Sequence, residues 1–501
     1  MRWFASLVLT LALGVMGCSE ASGTGGTHSD GGSGGGGVGG DGGTSRPSEF
    51  AAAEAVLVSG PSPYAECEDD ARPDDPFFAD SEVEPWLAVN PTDPEHLAAA
   101  WQQDRYASVA CRGNVIGASF DGGESWQESL LPKLTPCTGG TWAKASDPWV
   151  TFAANGDLYS ATLAFTPATD VDPQHRGMLV HKSPDGGLSW GDPITVAEAM
   201  GSFLEDKESM TADPFDECVV YLSWTRFHPD GGDLLFSRTT DCGETWSEPA
   251  TLYSNDPAGV DVQIAVLPDG MLVAVFMEIG PVLTERPFFA MMSGDRGETW
   301  SESPLTIATA KRTYPVVPDG DDAVRSGVHD IAVDRGTGTL HLVWERHIGD
   351  TPPTQIAYAS SSDGGVTWSD AVRIDRTPPA DSFEREQAFL PSVEVSADGT
   401  IGMTYYNFQN DTPGDARSDT DVWFIHCHPD DGDCTDPTQW SEAIRLSAES
   451  FDYQLAPSSN RGFFLGDYVG LATAGSDFFA LPSVTTPDDP ADILLIPIRG
   501  Q

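Results

Sequence analysis

Acidic, basic and phenolic residues recur in this chain beside short apolar runs. Glu84, Asp147, Lys207, Glu208, Asp261, Arg325, His329, Asp330, Arg385, Gln387 and Asp467 stand at or just before runs such as WLAVN, WVTFA and DIAVD. Asp104, Arg105, Arg226, Glu345, Arg346, Tyr405 and Tyr406 end runs such as LAAAW and HLVW. Guanidinium groups bind carboxylates through paired hydrogen bonds, and carboxyl and phenol groups donate or accept protons. Gathered at one mouth, these side chains form a ligand site. Gathered in pairs, they are ion pairs that staple neighbouring elements.

Other chemistries find less support. The chain has no GxSxG elbow, no HExxH helix signature and no glycine loop placed to cradle phosphate, and its early glycines are low-complexity. No CxxC or clustered His/Cys spacing suggests a metal site, so no cofactor is expected. Asp430-Asp431-Gly432-Asp433 has the ligand chemistry for calcium without EF-hand spacing, and the competing reading is a solvated loop between Cys427 and Cys434.

The elements that must position these residues announce themselves by repetition. SFDGGESW, Ser119 to Trp126, returns as SPDGGLSW, TTDCGETW, SGDRGETW and SSDGGVTW, with the tryptophans at 126, 190, 246, 300 and 368. A degenerate sixth copy ends at Trp440. In S-x-D-x-G-x-[ST]-W, the Ser or Thr and the Asp hydrogen-bond nearby backbone, Gly accepts the positive φ of a tight turn, and Trp opens the next strand. Asp121, Asp185, Asp241, Asp295 and Asp363 are therefore structural. Two further strand signals precede each turn, as in DPWVTFAANGDLYSATLAF.

A period of that size, built from strand signals, predicts four-stranded units stacked radially as an all-β propeller. Seven inner-strand signals (WLAVN, WVTFA, MTAD, QIAVL, DIAVD, SVEVS and YVGLA) favour seven blades, with six the alternative. The last unit supplies only three strands, and residues 53–60 (AEAVLVSG) are expected to add its outer strand and close the ring. In this topology the Asp-containing turns lie on one face. The loops entering inner strands and leaving second strands lie on the other, where the polar residues above converge.

The turn motif is the Asp-box or BNR repeat, and residues 49–501 resemble the sialidase-like β-propeller superfamily. VSGPSPYAEC, EVEPWLAVNPTDP, WQQDRY, DKESMTADP, GVTWSDAVRI and GFFLGDYVGLA are similar to a bacterial group labelled sialidase family or exo-α-sialidase. The resemblance implies a glycoside hydrolase that acts on a glycan or glycoconjugate. It implies an arginine clamp for the substrate carboxylate, with Arg105, Arg325, Arg346 and Arg385 as candidates. It also implies a Tyr nucleophile, Tyr406 or Tyr468, a Glu partner, Glu208 or Glu345, and an Asp acid, Asp104 or Asp147. Where such enzymes open the first inner strand with Arg-Ile-Pro, this chain reads Glu84-Pro85-Trp86. That departure keeps a second function open, a non-catalytic propeller that binds glycan or protein on its loop face.

Arg2 followed by the apolar run FASLVLTLALGVM and Gly17-Cys18 reads as an export signal over residues 1–18. VMGC resembles a lipoprotein signal, which implies cleavage before Cys18 and lipid on its thiol. Ser19 fits delivery to the outer membrane, on its surface or periplasmic side, and plain secretion is the alternative. Residues 19–48 are a Gly/Ser-rich tether without material for a core. The formal charge of −51, from 77 acidic and 26 basic residues, argues against nucleic acid and leaves the lipid as the expected membrane contact. A monomer is expected. Short loops suggest disulfides Cys111–Cys137, Cys218–Cys242 and Cys427–Cys434, leaving Cys67 over.

Overall fold

The computed structural model describes residues 47–68, 75–168, 173–279, 285–311, 315–320, 322–325, 327–347, 353–459 and 461–501. The export signal, Cys18 and most of the expected tether lie outside them. The described chain is all-β, and its sheets are antiparallel meanders, the architecture of propeller blades.

The first meander runs Glu82–Asn90, Asp93–Arg105, Cys111–Ser119 and Gln127–Leu130, and the second Lys144–Phe152, Leu158–Thr166, His175–Ser183 and Ile194–Met200. A single pairing, Cys111 with Ala145, joins the two. The third begins at Leu204–Ala212, the fourth at Ala258–Val266, the fifth at Asp330–Val333 and the sixth at Ala388–Val395. The C-terminal meander comprises Gly470–Ala474, Asp477–Leu481 and Asp492–Gly500. Phe50–Ala52 pairs along its last strand with Gly500 to Ile498, and Val56–Leu57 pairs with Leu495 and Leu494.

Each Asp-containing turn joins a third strand to a fourth and satisfies itself. In the first, Asp121 Oδ1 accepts from Ser119 Oγ (2.8 Å) and the Ser125 amide (2.9 Å), while the Gly123 amide donates to Ser119 Oγ (2.9 Å). Asp185, Asp241, Asp295 and Asp363 repeat the pattern with Ser189, Thr245, Thr299 and Thr367. The hydroxyl of that last Ser or Thr, donating to the carboxylate, heads the causes that hold each Asp below its ordinary range. The turns also pack between meanders. A Cβ added at Gly297 would lie 2.4 Å from the Phe236 ring of the third meander, and one at Gly123 would lie 2.2 Å from Leu495 of the C-terminal one. Both glycines have φ in the left-handed region, 81° and 90°.

The sixth position departs from the pattern. There the disulfide Cys427–Cys434 closes the turn, Asp433 accepts from Thr435, and the buried Trp440 donates to the Cys434 carbonyl (2.9 Å). Cys218–Cys242 also forms. The expected pairing of Cys111 with Cys137 is overturned, because Cys67 bonds Cys137 and Cys111 stays a buried thiol. Cys111 opens the third strand of the first meander, enclosed by packing. Its Sγ donates to the Gly113 and Ala145 carbonyls (3.2 and 3.1 Å), whereas Cys137 sits on the short helical turn Pro136–Thr138, within reach of the N-terminal segment.

Candidate functional site

First strands of the first four meanders and of the sixth share a local irregularity. Glu84, Asp147, Lys207, Asp261 and Leu390 adopt φ of 55°, 47°, 55°, 56° and 50°, and the pairing register shifts at each of these points. A bulge of this kind re-aims one side chain out of the strand's alternation, and a non-glycine residue held there costs ~1–2 kcal/mol. Four of the five residues are charged and line one cavity of about 720 Å³. The strand starts also bring Asp206, Arg325 and Asp467 to it, second-strand ends bring Arg105, and third-strand starts bring Arg176 and Arg286. Arg461 joins them from the segment before the C-terminal meander. The Asp-containing turns lie at the other ends of the third strands, away from this cavity.

At its centre the Lys207 ammonium contacts Asp467 and lies 3.6 Å from Asp147 Oδ2 and 3.9 Å from Glu84 Oε1. Arg325 donates to Asp467 (2.6 Å). The Asp467 amide donates to Glu84 Oε1 (3.1 Å), and Gln102 donates to the other Glu84 oxygen. Ser146 donates to Asp147 Oδ1 (2.5 Å). Arg105 and Arg325 lie over the Phe464 ring, 3.8 and 4.5 Å from its centroid, so one aromatic face supports two guanidinium groups. Trp86 and Trp149, each two residues beyond a bulge, stack at 3.6 Å with Tyr468 edge-on to both.

The carboxyls differ sharply in proton affinity. Burial, then the neighbouring Asp147, raises Glu84 to about 7. Burial opposes ionisation of Asp147 and Asp467 as well, but Lys207 with the Ser146 hydroxyl holds Asp147 below the ordinary range, and Arg325 with Lys207 does so for Asp467. Burial, then Asp147, raises Glu208 well above that range, and both its oxygens lack a hydrogen-bond partner. The surrounding carboxylates keep Lys207 charged against its burial. Two carboxyls whose environments push their proton affinities apart can divide the roles of acid and base.

Of the residues singled out in the sequence, Glu84, Arg105, Asp147, Lys207, Asp261, Arg325 and Asp467 line this cavity, and Glu208 stands next to Lys207. Tyr468 is buried and its hydroxyl donates to the Pro148 carbonyl (3.0 Å). Arg346 donates to the Ala371 carbonyl and Arg385 to Asp381 and the Gln409 carbonyl, neither at the cavity. Asp104 accepts from Ser62 (2.8 Å) and pairs with Arg112 (3.2 Å). Glu345 accepts from the Leu390 amide (2.9 Å), holding the sixth meander's bulge, and the Tyr406 hydroxyl donates to the Ser483 carbonyl (3.1 Å). Arg176, Arg286 and Arg461 were not singled out. A third strand begins on the face where the second one ends, so the topology could have included Arg176 and Arg286.

No protein-family model and no curated protein sequence matches the chain. Solved structures with a similar chain course include a Dyadobacter fermentans protein of unknown function (TM-score 0.45, 12% identity, covering 85% of this chain and 97% of that one). A Hadza microbial sialidase is similar at TM-score 0.44 and 17% identity, over 81% of this chain and 74% of that one. A Penicillium chrysogenum α-L-arabinanase is similar at TM-score 0.45 and 12% identity, over 90% and 98%.

Proposed function

We propose that the chain is a glycoside hydrolase of exo-sialidase type, exported as a lipoprotein through Cys18 and removing a carboxylate-bearing terminal sugar from extracellular glycans. Its meanders are read as seven blades of a ring closed by the strand Phe50–Ala52. Supporting that reading, successive first strands contact one another in chain order, and Gly470–Ala474 contacts Glu82–Asn90. The observation that carries the function is the meeting of Arg105, Arg325 and Arg461 with Glu84, Asp147 and Asp467 at one cavity, inside a protein of net charge −51. The guanidinium groups would hold the substrate carboxylate against the acidic field. Glu84, protonated near neutrality, would donate to the leaving oxygen, and the ionised Asp147 would activate water or stabilise the oxocarbenium ion.

Hydrolysis of fluorogenic glycosides by the purified chain tests this, with a sialoside beside neutral pentosides and hexosides. Sialoside cleavage is expected, reduced by about two orders of magnitude or more in Arg105→Ala and in Asp147→Asn. Cleavage of a neutral glycoside alone would remove the sialidase reading. Cleavage of none would favour the non-catalytic reading, in which the Lys207–Asp467–Arg325 network is a staple between meanders and the cavity only binds.

A further inference from the structure

A second cluster lies at the seam between the first and C-terminal meanders, built from Glu82, Asp489 and Asp492. One carboxylate oxygen of each lies within 4.8 Å of the others. Glu82 begins the first strand, its side chain is fully buried, and backbone ties it to the last meander through its own amide and the Ala491 carbonyl (2.9 Å). Its two oxygens are not equivalent. The buried Trp101 ring donates to Gln103 Oε1 (2.9 Å), which turns the Gln103 amide nitrogen toward Glu82 Oε1. Glu82 Oε2 has no hydrogen-bond partner.

No described Lys, Arg or His forms an ion pair with any of the three carboxyls, and Arg112, which lies near this seam, is engaged by Asp104 and the Tyr64 and Cys67 carbonyls. Asp80 and Asp104 add further negative charge. A fully buried carboxylate with one oxygen lacking a donor, clustered with two more carboxyls, is stabilised by a bound proton or by a hard cation that displaces it. Oxygens around one calcium ion at 2.3–2.6 Å lie no more than about 5 Å apart, which the cluster satisfies, and the partly exposed Asp489 and Asp492 leave room for water ligands.

We propose that Glu82, Asp489 and Asp492 bind a calcium ion that clasps the first meander to the last. The site is separate from the cavity of the proposed hydrolase and does not depend on that reading. Its ligands come from the two ends of the folded chain, so occupancy is linked to holding those ends together. Calcium suits the site better than magnesium, because carboxylates fixed by strands do not readily adopt the small octahedral shell that magnesium requires.

Thermal unfolding of the full chain tests it, after chelation and then with excess calcium or magnesium chloride at matched ionic strength. Calcium is expected to raise the midpoint by about a few degrees and magnesium by much less. Glu82→Gln keeps the side-chain volume and the bond from Gln103, so it should fold with an unchanged or higher midpoint in chelator and lose the calcium response. Asp492→Asn should weaken that response, and titration calorimetry should find one site per chain. No calcium response, an equal response to magnesium, or a response retained in Glu82→Gln overturns the proposal.

Discussion

Glu84 and Asp147 occupy matching bulges one meander apart, share the Lys207 ammonium, and yet hold protons very differently. If the proposed hydrolase uses Glu84 as the acid, the reaction fails as Glu84 deprotonates. The rate profile is therefore expected to fall above about pH 7, the value to which burial and Asp147 raise the group. Glu84→Gln should abolish cleavage of substrates with poor leaving groups while sparing activated aryl glycosides, whose leaving group needs little protonation. Equal loss on both would show that Glu84 only positions Lys207. The sequence marked Arg105, Arg325 and Asp147 because each flanks an apolar run. It could not tell them from Arg346 and Arg385, which flank similar runs, because which side chain turns inward depends on bulges and loops that the run does not encode.

At the scale of the element, the repeated turn does more than reverse the chain. Its aspartate organises the turn, and its left-handed glycine is where one meander touches the meander before it. Gly297→Ala combines a strained backbone with a methyl group 2.4 Å from the Phe236 ring. The two penalties together are expected to destabilise by roughly 3 kcal/mol, seen as a lowered denaturant midpoint. Gly270→Ala, also left-handed but with nothing within 4 Å of the added atom, should cost only the backbone part. Equal losses in the two would refute the packing role. The bulged first strands were not legible as such. WLAVN and WVTFA predict strands, but the residue two before each tryptophan looks like an ordinary strand entrance. Only register against the second strand shows the extra residue.

At the scale of the whole molecule, two features separate the structure from local reading. Cys67 and Cys137 are 70 residues apart and tie the N-terminal segment to the connection between the first two meanders. Thiol labelling of the denatured, unreduced mature chain is expected to modify Cys111 alone, and labelling of the native chain none; modification of Cys67 would restore the short-range pairing. The second feature is charge. Glu84, Glu394 and Asp489 are raised to about 7, Asp330 to about 6 and Glu82 to about 10, with burial the leading cause each time. A carboxyl that binds its proton more tightly folded than unfolded favours the folded state at low pH, and that advantage is lost as pH rises from its unfolded value through its folded one. In chelator, the urea midpoint is therefore expected to decline from about pH 5 to pH 8, and calcium should offset the share due to Glu82 and Asp489. Asp467, held below the ordinary range, works in the opposite sense, adding stability above about pH 4 that is lost on acidification. A flat profile would mean that these carboxyls are hydrated in solution.

By itself the sequence determined the strand class, the repeat and the self-satisfied turns, because each is written in residues within about ten positions of one another, and hydrogen bonds such as Ser119 to Asp121 need no distant partner. It also supplied the short disulfides Cys218–Cys242 and Cys427–Cys434, whose ends a single turn brings together. Tertiary structure alone decided the rest. Which arginines share a cavity, which cysteine pairs across the N-terminal segment, and how Glu82 meets Asp489 and Asp492 all depend on stacking meanders that are far apart in the chain. Burial then set the proton affinities, since a carboxyl's range follows from the water it loses and the charges it gains, and neither is visible in the residues on either side of it.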